Sequence, residues 1–289
     1  MGLSWQQGPL APGAIGRFLV PDPLPERLLY AEPLRRRLRV RFANAWIADS
    51  EDVVVLHEPG RYPVAYFPLS DIGVGVLGPD ERITQHRDLG ATAWYGVQAG
   101  GRSTPRAAWQ HTELPAHASD LKGRVAFAWR AMDAFYEEDE RIVGHAADAY
   151  HRIDIRQTSR HLVVSDGDRT VADTSRPLAL YESGFAPRWY VPRDDVDVSA
   201  LTPVKRQTFC PYKGVCSYYD VGAAPRAGWS YEAAWTEVRR ISGLVSFEPD
   251  RVEVHLDGVM LRLEPGQGVI PHGVDRDLTV DEATPGGPL

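Results

Sequence analysis

The sequence repeats itself at a fixed spacing along most of its 289 residues. Identical residues recur 124 positions later without a gap, and these are Ala48, Asp49, Glu58, Tyr66, Pro68, Asp71, Thr84 and Tyr95. After a short change of length the match resumes at a spacing of 120, at Trp109, Gly123, Val125 and Phe127. A register of this length indicates two copies of one structural unit, here called the first and second repeats.

The repetition predicts a chain of two domains with connecting segments. Residues 1–34 are rich in Pro and Gly, and we expect them to form an extended arm that packs on the first repeat. The first repeat is predicted to span residues 35–135 and the second residues 153–264. Residues 136–152 form a bridging segment between them, and residues 265–289 form a tail that we expect to be mobile.

The pattern within each repeat is typical of β-strands. Short apolar runs rich in Val, Tyr and Leu alternate with turn residues and are too short for helices. Asp166–Asp168 has the composition of a hairpin turn. One helix is predicted over Glu232–Ile241, with Ser230 as its cap. We therefore expect a mainly β fold, with two tandem antiparallel sandwiches or open barrels, each with one short helix, arranged with pseudo-two-fold symmetry.

Composition excludes several classes of function. The net charge of −7 argues against nucleic-acid binding, which needs a basic face. No apolar run reaches the roughly 18 residues of a membrane span, so we expect no membrane partner. The N-terminus has no secretory pattern, which favours a cytoplasmic location. Cys210 and Cys216 are too few for a disulfide scaffold, and their spacing suits neither redox nor zinc motifs. We expect no metal and no cofactor.

The sharpest difference between the repeats lies in one short loop. The second repeat has Cys-Pro-Tyr-Lys-Gly at Cys210–Gly214, where the first has His-Arg-Asp-Leu-Gly at His86–Gly90. Only the glycine is shared, which predicts that the backbone of this turn requires it. His86 is interpreted as an acid or base, if the repeats face each other, or as the remnant of a lost site.

The second repeat carries a specific set of motifs. These are, in chain order, Val171–Thr174, Tyr181–Gly184, Arg188–Val196, Cys210–Gly214, Ser217–Tyr219 and Trp229–Tyr231. Together they resemble the tandem form of the family known as domain of unknown function 427, and Glu137–Arg141 and Tyr150–Arg152 resemble its bridge. The resemblance implies compact β-rich domains and brings a nucleotidyltransferase label. The sequence has neither a Gly-Ser followed by paired metal-binding aspartates nor a phosphate-binding glycine loop, so that activity is disfavoured.

Three residues are the catalytic candidates. Cys210 is a potential nucleophile, because the ammonium of Lys213 would lower the pKa of a neighbouring thiol. Glu182 is suited to acid–base chemistry or to orienting Lys213. The alternative is a buried cysteine in a turn, with Lys213 paired to Glu182 or Asp195.

A second group of residues is predicted to bind the substrate. These residues are Tyr190, Asp195, Thr208, Tyr212, Tyr218 and Trp229. The alternative for the aromatic members is core packing and cross-strand pairing. Glu182, Asp195 and Thr208 recur in the first repeat as Glu58, Asp71 and Thr84, which favours structural roles for them.

These observations lead to a hypothesis about function. We expect a small-molecule binding protein or an enzyme of uncharacterised activity, with its polar site around Cys210, Tyr212 and Lys213. The first repeat would be a degenerate partner. If the protein is an enzyme, the reaction would be covalent or acid–base chemistry on a small molecule. The alternative is a non-catalytic scaffold or interaction module. The oligomeric state is left open, because an internal pair of repeats already provides each with a partner.

Overall fold

The computed structural model describes residues 2–4, 7–146 and 148–263, and the predicted tail at residues 265–289 lies outside them. The chain forms two compact units. One contains residues 18–148, and the other contains the described residues up to Arg17 and from Ala149 onward. Each unit holds one of the two repeats.

The first unit is built from strands β1–β11 and three 3-10 helices. The strands are β1 Tyr30–Pro33, β2 Leu38–Phe42, β3 Ala45–Ser50, β4 Val54–His57, β5 Val64–Pro68, β6 Leu77–His86, β7 Gly90–Ala99, β8 Arg102–His111, β9 Arg124–Phe127, β10 Ala134–Glu137 and β11 Glu140–Ile142. The 3-10 helices are Leu69–Asp71, Ala116–Leu121 and Trp129–Ala131.

The described part of the second unit is built from strands β12–β22 and three further 3-10 helices. The strands are β12 Ile153–Gln157, β13 Leu162–Asp166, β14 Arg169–Thr174, β15 Leu178–Glu182, β16 Arg188–Val191, β17 Leu201–Cys210, β18 Gly214–Val221, β19 Ala224–Ser230, β20 Val245–Phe247, β21 Glu253–Leu256 and β22 Val259–Met260. The 3-10 helices are Arg193–Asp195, Val198–Ala200 and Thr236–Ile241.

The two units have the same topology. Each contains a seven-stranded and a four-stranded antiparallel sheet, with the orders β1-β4-β5-β9-β8-β7-β6 and β11-β10-β2-β3 in the first. The sheets of the second unit have the orders β12-β15-β16-β20-β19-β18-β17 and β14-β13-β21-β22. These orders match those of the first unit strand for strand. The predicted mainly β fold with two similar halves is confirmed, and neither pair of sheets closes into a barrel over the residues that the structure describes.

Shared irregularities show how closely the repeats correspond. The β6–β7 pairing shifts register after Pro79, and the β17–β18 pairing shifts after Pro203, its counterpart. Arg106 and Arg226 also share a left-handed φ of 51°. The predicted hairpin at Asp166–Asp168 joins β13 to β14, with Gly167 in the left-handed region.

Alternating burial along the strands explains why these segments form sheets. In β2 the side chains of Leu38, Val40 and Phe42 are buried, while the arginines between them are only partly buried. In the second unit Leu162 and Val164 pack with Val191 and other residues in an equivalent core. A separate cluster of the second unit contains Ile155, Leu180 and Tyr190, and the polar loop lies beside this cluster.

The predicted helix over Glu232–Ile241 is shorter than expected and is a 3-10 helix over Thr236–Ile241. Trp235 has an extended ψ of 155°, and Val238 leaves the helical region at φ −120°. Because of these angles the segment cannot continue as an α-helix. Ser230 is the last residue of β19 rather than a helix cap. The first unit has a 3-10 helix of the same length at Ala116–Leu121. No helix in the described ranges has the length and apolar character needed to cross a membrane.

The N-terminal arm divides between the two units. The described residues up to Arg17 belong with the second repeat rather than the first. The amide of Gln7 donates to the carbonyl of Gly184 at 3.3 Å, in the turn that follows β15. Tyr30–Pro33 is β1, which pairs with β4 as β12 pairs with β15. The end of the predicted arm is therefore the first strand of the repeat.

Gly214→Ala tests why glycine is shared by the two loops. Gly214 has φ +99° and Gly90 has φ +75°, and a Cβ at Gly214 would lie 3.4 Å from the carbonyl oxygen of Ala233. We expect the substitution to lower the free energy of unfolding by about 1 kcal/mol or more. Gly16→Ala is the matched control, since Gly16 has open space around it and no positive φ. Equal urea midpoints for both variants would contradict this account.

Candidate functional site

The loop that differs between the repeats is the turn between β17 and β18. Cys210 pairs with Gly214 across this turn, and the amide of Lys213 donates to the carbonyl of Cys210 at 3.2 Å. The tight turn is possible because Gly214 adopts a left-handed conformation. It holds the cysteine and the lysine side by side at the end of the hairpin.

Lys213 points into the protein and forms an ion pair with Glu182. The ammonium nitrogen lies 2.5 Å from Oε2 of Glu182, which is the last residue of β15. Nε2 of His151 lies 3.0 Å from Oε1 of the same carboxylate. The exposed fractions of the side chains are 9% for Lys213, 10% for Glu182 and 1% for His151. Both carboxylate oxygens of Glu182 therefore have a polar partner, at a place from which water is nearly excluded.

Aromatic side chains lie beside the residues of this ion pair. The ring of Tyr212 stacks on His151 with centroids 3.6 Å apart. The hydroxyl of Tyr190 accepts a hydrogen bond from Nε1 of Trp229 at 3.3 Å and interacts electrostatically with Lys213. We call the set His151, Glu182, Tyr190, Cys210, Tyr212 and Lys213 the Lys213 cluster.

The charged groups of the Lys213 cluster stabilise one another against the cost of burial. Burial opposes ionisation of Glu182, but Lys213 and His151 outweigh burial and lower the pKa of the carboxyl to about 2. Burial also opposes the charge of Lys213, and Cys210 and Glu182 outweigh it and raise the pKa of the ammonium. For His151 burial dominates and lowers the pKa of the imidazole. At neutral pH the cluster thus holds one carboxylate, one ammonium and a neutral histidine.

The environment of Cys210 does not favour a thiolate. Burial raises the pKa of the thiol, and the opposing effect of Lys213 is smaller. The expected lowering of the pKa by Lys213 is therefore present but is exceeded by desolvation. Cys216 is more strongly affected, because burial raises the pKa of its thiol to about 12. Both cysteines are free thiols.

Three of the predicted binding residues have other partners. The carboxylate of Asp195 accepts from Thr174 at 2.7 Å and from Arg176 at 2.8 and 2.9 Å, so it braces a turn rather than contacting Lys213. Thr208 is hydrogen-bonded to the hydroxyl of Tyr218 at 2.8 Å.

Equivalent contacts support a structural role for these residues. In the first repeat, Asp71 accepts from Ser50 and Thr84 accepts from Trp94. Trp109 likewise donates to Tyr66 at 3.3 Å, the same distance as between Trp229 and Tyr190. Trp229 therefore serves to hold Tyr190 in place.

The first repeat buries the corresponding glutamate with different partners. Glu58 accepts from Arg27 at 2.7 Å and from Nε2 of His86 at 3.0 Å. Nδ1 of His86 accepts from the amides of Asp88 and Leu89, each at 3.1 Å. Both ring nitrogens of His86 are occupied, and the proton lies on Nε2 in this arrangement. His86 is therefore part of a closed structural network.

His151 is the residue of the site that the sequence interpretation missed. It lies in the predicted bridging segment, and only the family resemblance had marked it. Arg27 is 124 positions before His151, and both contact the equivalent glutamate, at Glu58 and Glu182. Extending the repeat register upstream of Ala48 to this position would have revealed the pair. Within the described residues, no group of three or more His, Cys, Asp or Glu side chains is placed to hold a metal ion.

Comparison with known protein families agrees with this internal correspondence. Residues 30–138 and 154–258 each match the family described as Domain of unknown function (DUF427). The chain therefore belongs to that family and contains two tandem copies of its domain. No curated protein sequence matches the chain significantly.

The low pKa of Glu182 predicts a dependence of stability on pH. The folded pKa of about 2 is below the ordinary value of 4.5, so the stabilisation is complete above about pH 5. It is lost as the pH falls towards about 2, and we expect a loss on the order of 3 kcal/mol. The double variant Glu182→Gln/Lys213→Met should lose correspondingly less over this range in urea unfolding. Glu237→Gln, at an exposed position, is the control, and identical pH profiles for all three proteins would refute the assignment.

Thiol labelling tests the protonation of Cys210. Near neutral pH we expect both cysteines to react with iodoacetamide at least about tenfold more slowly than in the urea-unfolded chain, because both are protonated, Cys216 is buried and Cys210 is partly buried. Lys213→Met should slow Cys210 further, since the ammonium favours the thiolate. Mass spectrometry of the labelled peptides separates the two sites. Rapid, selective labelling of Cys210 in the folded protein would instead indicate an activated nucleophile.

Proposed function

We propose that this tandem DUF427 protein binds a small polar molecule at the Lys213 cluster of its second repeat. The ligand would present an oxygen acceptor, such as a carbonyl or an oxyanion, to the ammonium of Lys213. The observation that carries the proposal is the incomplete hydrogen bonding of a buried cation. Lys213 has three N–H donors, and among the described residues only Glu182 accepts from them.

A second donor points to the same chemistry. The hydroxyl of Tyr190 accepts from Trp229, and its own proton has no acceptor among the described residues. Tyr190 and Lys213 interact electrostatically, so they are neighbours within the cluster. Buried donors without acceptors carry a desolvation cost, and a ligand oxygen would remove it.

The difference between the repeats supports a function for Lys213 rather than a requirement of the fold. The first repeat has the buried side chain of Leu89 at the position of Lys213 and takes its cation from Arg27. The same topology therefore forms without a lysine in this loop. Lys213 neutralises Glu182 as Arg27 neutralises Glu58, and the carrying observation is the two N–H donors of Lys213 that have no acceptor among the described residues.

The protonation states favour binding or acid chemistry over nucleophilic chemistry. Lys213 is charged and Cys210 is a thiol near neutral pH, so neither is a ready nucleophile. Lys213 is suited to donating hydrogen bonds to a ligand oxygen and to stabilising negative charge on it. Covalent chemistry at Cys210 would require a bound ligand that lowers the pKa of its thiol.

The competing proposal is a non-catalytic scaffold, and one observation favours it. In the first repeat the equivalent network of Arg27, Glu58 and His86 is closed and has a structural role. The Lys213 cluster would then be a variant of the same structural hydrogen-bond network. Ligand binding separates the two proposals, because a purely structural network has no affinity for small molecules.

The binding test uses calorimetric titration with a panel of small acceptor molecules, including pyruvate, oxalate and inorganic phosphate. We expect at least one to bind in the range of about 1 mM or tighter and to lose about tenfold or more in affinity in Lys213→Met/Glu182→Gln. Removing both partners avoids leaving one buried charge unpaired. Lys205→Met, an exposed lysine on β17, should bind as the parent does. Binding that is equal in all three proteins, or absent from the parent, would favour the scaffold.

A further inference from the structure

The second repeat contains a cavity that is separate from the Lys213 cluster. Its volume is about 380 Å³, within the range of small-molecule sites, and no residue of the cluster lines it. The walls come from β13, β16, β20, β21 and β22 and are mainly apolar. The principal apolar residues are Leu162, Trp189, Phe247, Val254, Leu256 and Leu261.

The charged residues that line the cavity are all basic. Arg160, Arg188 and Arg262 contribute to its wall, and no acidic side chain of the described residues does so. Asp257 pairs with Arg160 at 2.6 Å and Glu248 with Arg188 at 3.6 Å, both from outside the lining. Arg262 has no ionic partner in the described part of the chain. The cavity therefore combines an apolar interior with an excess of positive charge.

The first repeat carries larger side chains at two of the positions that line the cavity. There Trp129 stacks on Phe135 with centroids 3.7 Å apart. Phe135 pairs with Val40 as Val254 pairs with Val164, so Val254 stands where the first repeat has phenylalanine. Pro249 lies 120 positions after Trp129. Trp129 and Phe135 thus have the smaller counterparts Pro249 and Val254, both of which line the cavity.

The arginine in the cavity wall is also specific to the second repeat. Arg188 and its partner Glu248 are both nearly buried, with side-chain exposures of 11% and 7%. The corresponding residues of the first repeat are Val64 and Ala128, as the equivalent strand pairings show. A buried ion pair is usually no more stable than an apolar replacement of similar volume. Its presence beside the cavity is therefore not explained by stability alone.

We propose that this cavity binds a small amphipathic carboxylate. The apolar body, an aliphatic chain or an aromatic ring, would pack against the apolar lining beside Val254 and Pro249. The carboxylate would lie towards Arg262 and Arg160, and the guanidinium of Arg262 would provide the uncompensated charge. This proposal does not depend on the function of the Lys213 cluster.

The test compares carboxylates with alcohols of the same chain length on the full-length protein. We expect hexanoate, octanoate and decanoate to bind saturably in calorimetric titrations. The corresponding alcohols should bind at least about tenfold more weakly. Val254→Phe should abolish binding because it restores the ring that the first repeat accommodates. Arg262→Gln should weaken the carboxylates by about fivefold and leave the alcohols unchanged.

Two controls make the test specific. Arg239→Gln removes an exposed arginine of the second repeat that does not line the cavity, and it should leave binding unchanged. Glu237→Gln, at a second exposed position that does not line the cavity, should also leave it unchanged, and the loss of binding in Val254→Phe distinguishes this site from the Lys213 cluster. The proposal is overturned if no carboxylate binds saturably, if alcohols bind as tightly as carboxylates, or if folded Val254→Phe retains full affinity. If Val254→Phe does not fold, equal affinity of Arg262→Gln and the parent for octanoate would overturn it.

Discussion

A buried carboxylate at the same place in both repeats is the constraint around which the rest of the structure is arranged. Glu58 follows β4 and Glu182 ends β15, and each is almost completely removed from water. A carboxylate in this position must have a cation and further hydrogen bonds nearby. The first repeat brings Arg27 from the segment before β1, whereas the second brings Lys213 from the β17–β18 turn. The choice of cation decides which parts of the chain are held against each sheet.

The two repeats show how far side-chain chemistry can differ without loss of the fold. The two units share strand order, register and bulges, so the backbone tolerates large changes in side-chain chemistry. The second repeat has Lys213 in place of Leu89, and Arg188 with Glu248 in place of Val64 with Ala128. Each change puts a charge where the first repeat is apolar. Lys213 supplies the cation that Glu182 requires, whereas a buried pair such as Arg188–Glu248 is usually no more stable than an apolar replacement. The second repeat is therefore the one in which ligand sites are proposed, and the first shows what the fold alone requires.

The sequence predicted the architecture well because the signals for it are local and repeated. Short apolar runs with turn residues indicated the strands, and the constant spacing indicated two copies. Prediction was weaker where one segment's conformation depended on its neighbours. The helix over Glu232–Ile241 had a suitable apolar periodicity, but extended angles at Trp235 reduce it to a 3-10 helix. The richness of residues 1–34 in Pro and Gly predicts an extended arm, but Tyr30–Pro33 forms a strand because it pairs with β4.

The sequence by itself determined the tandem organisation, the β class and the loop in which the repeats diverge, because these follow from periodicity and from direct comparison of two copies. The tertiary structure decided which acid pairs with Lys213, selecting Glu182 and giving Asp195 to Arg176. It also added His151 to the site and placed Cys210 where burial outweighs the nearby ammonium. Ion pairing and desolvation depend on distances between strands that are remote in the chain. Local patterns carry no measure of those distances, so these features emerged only from the folded protein.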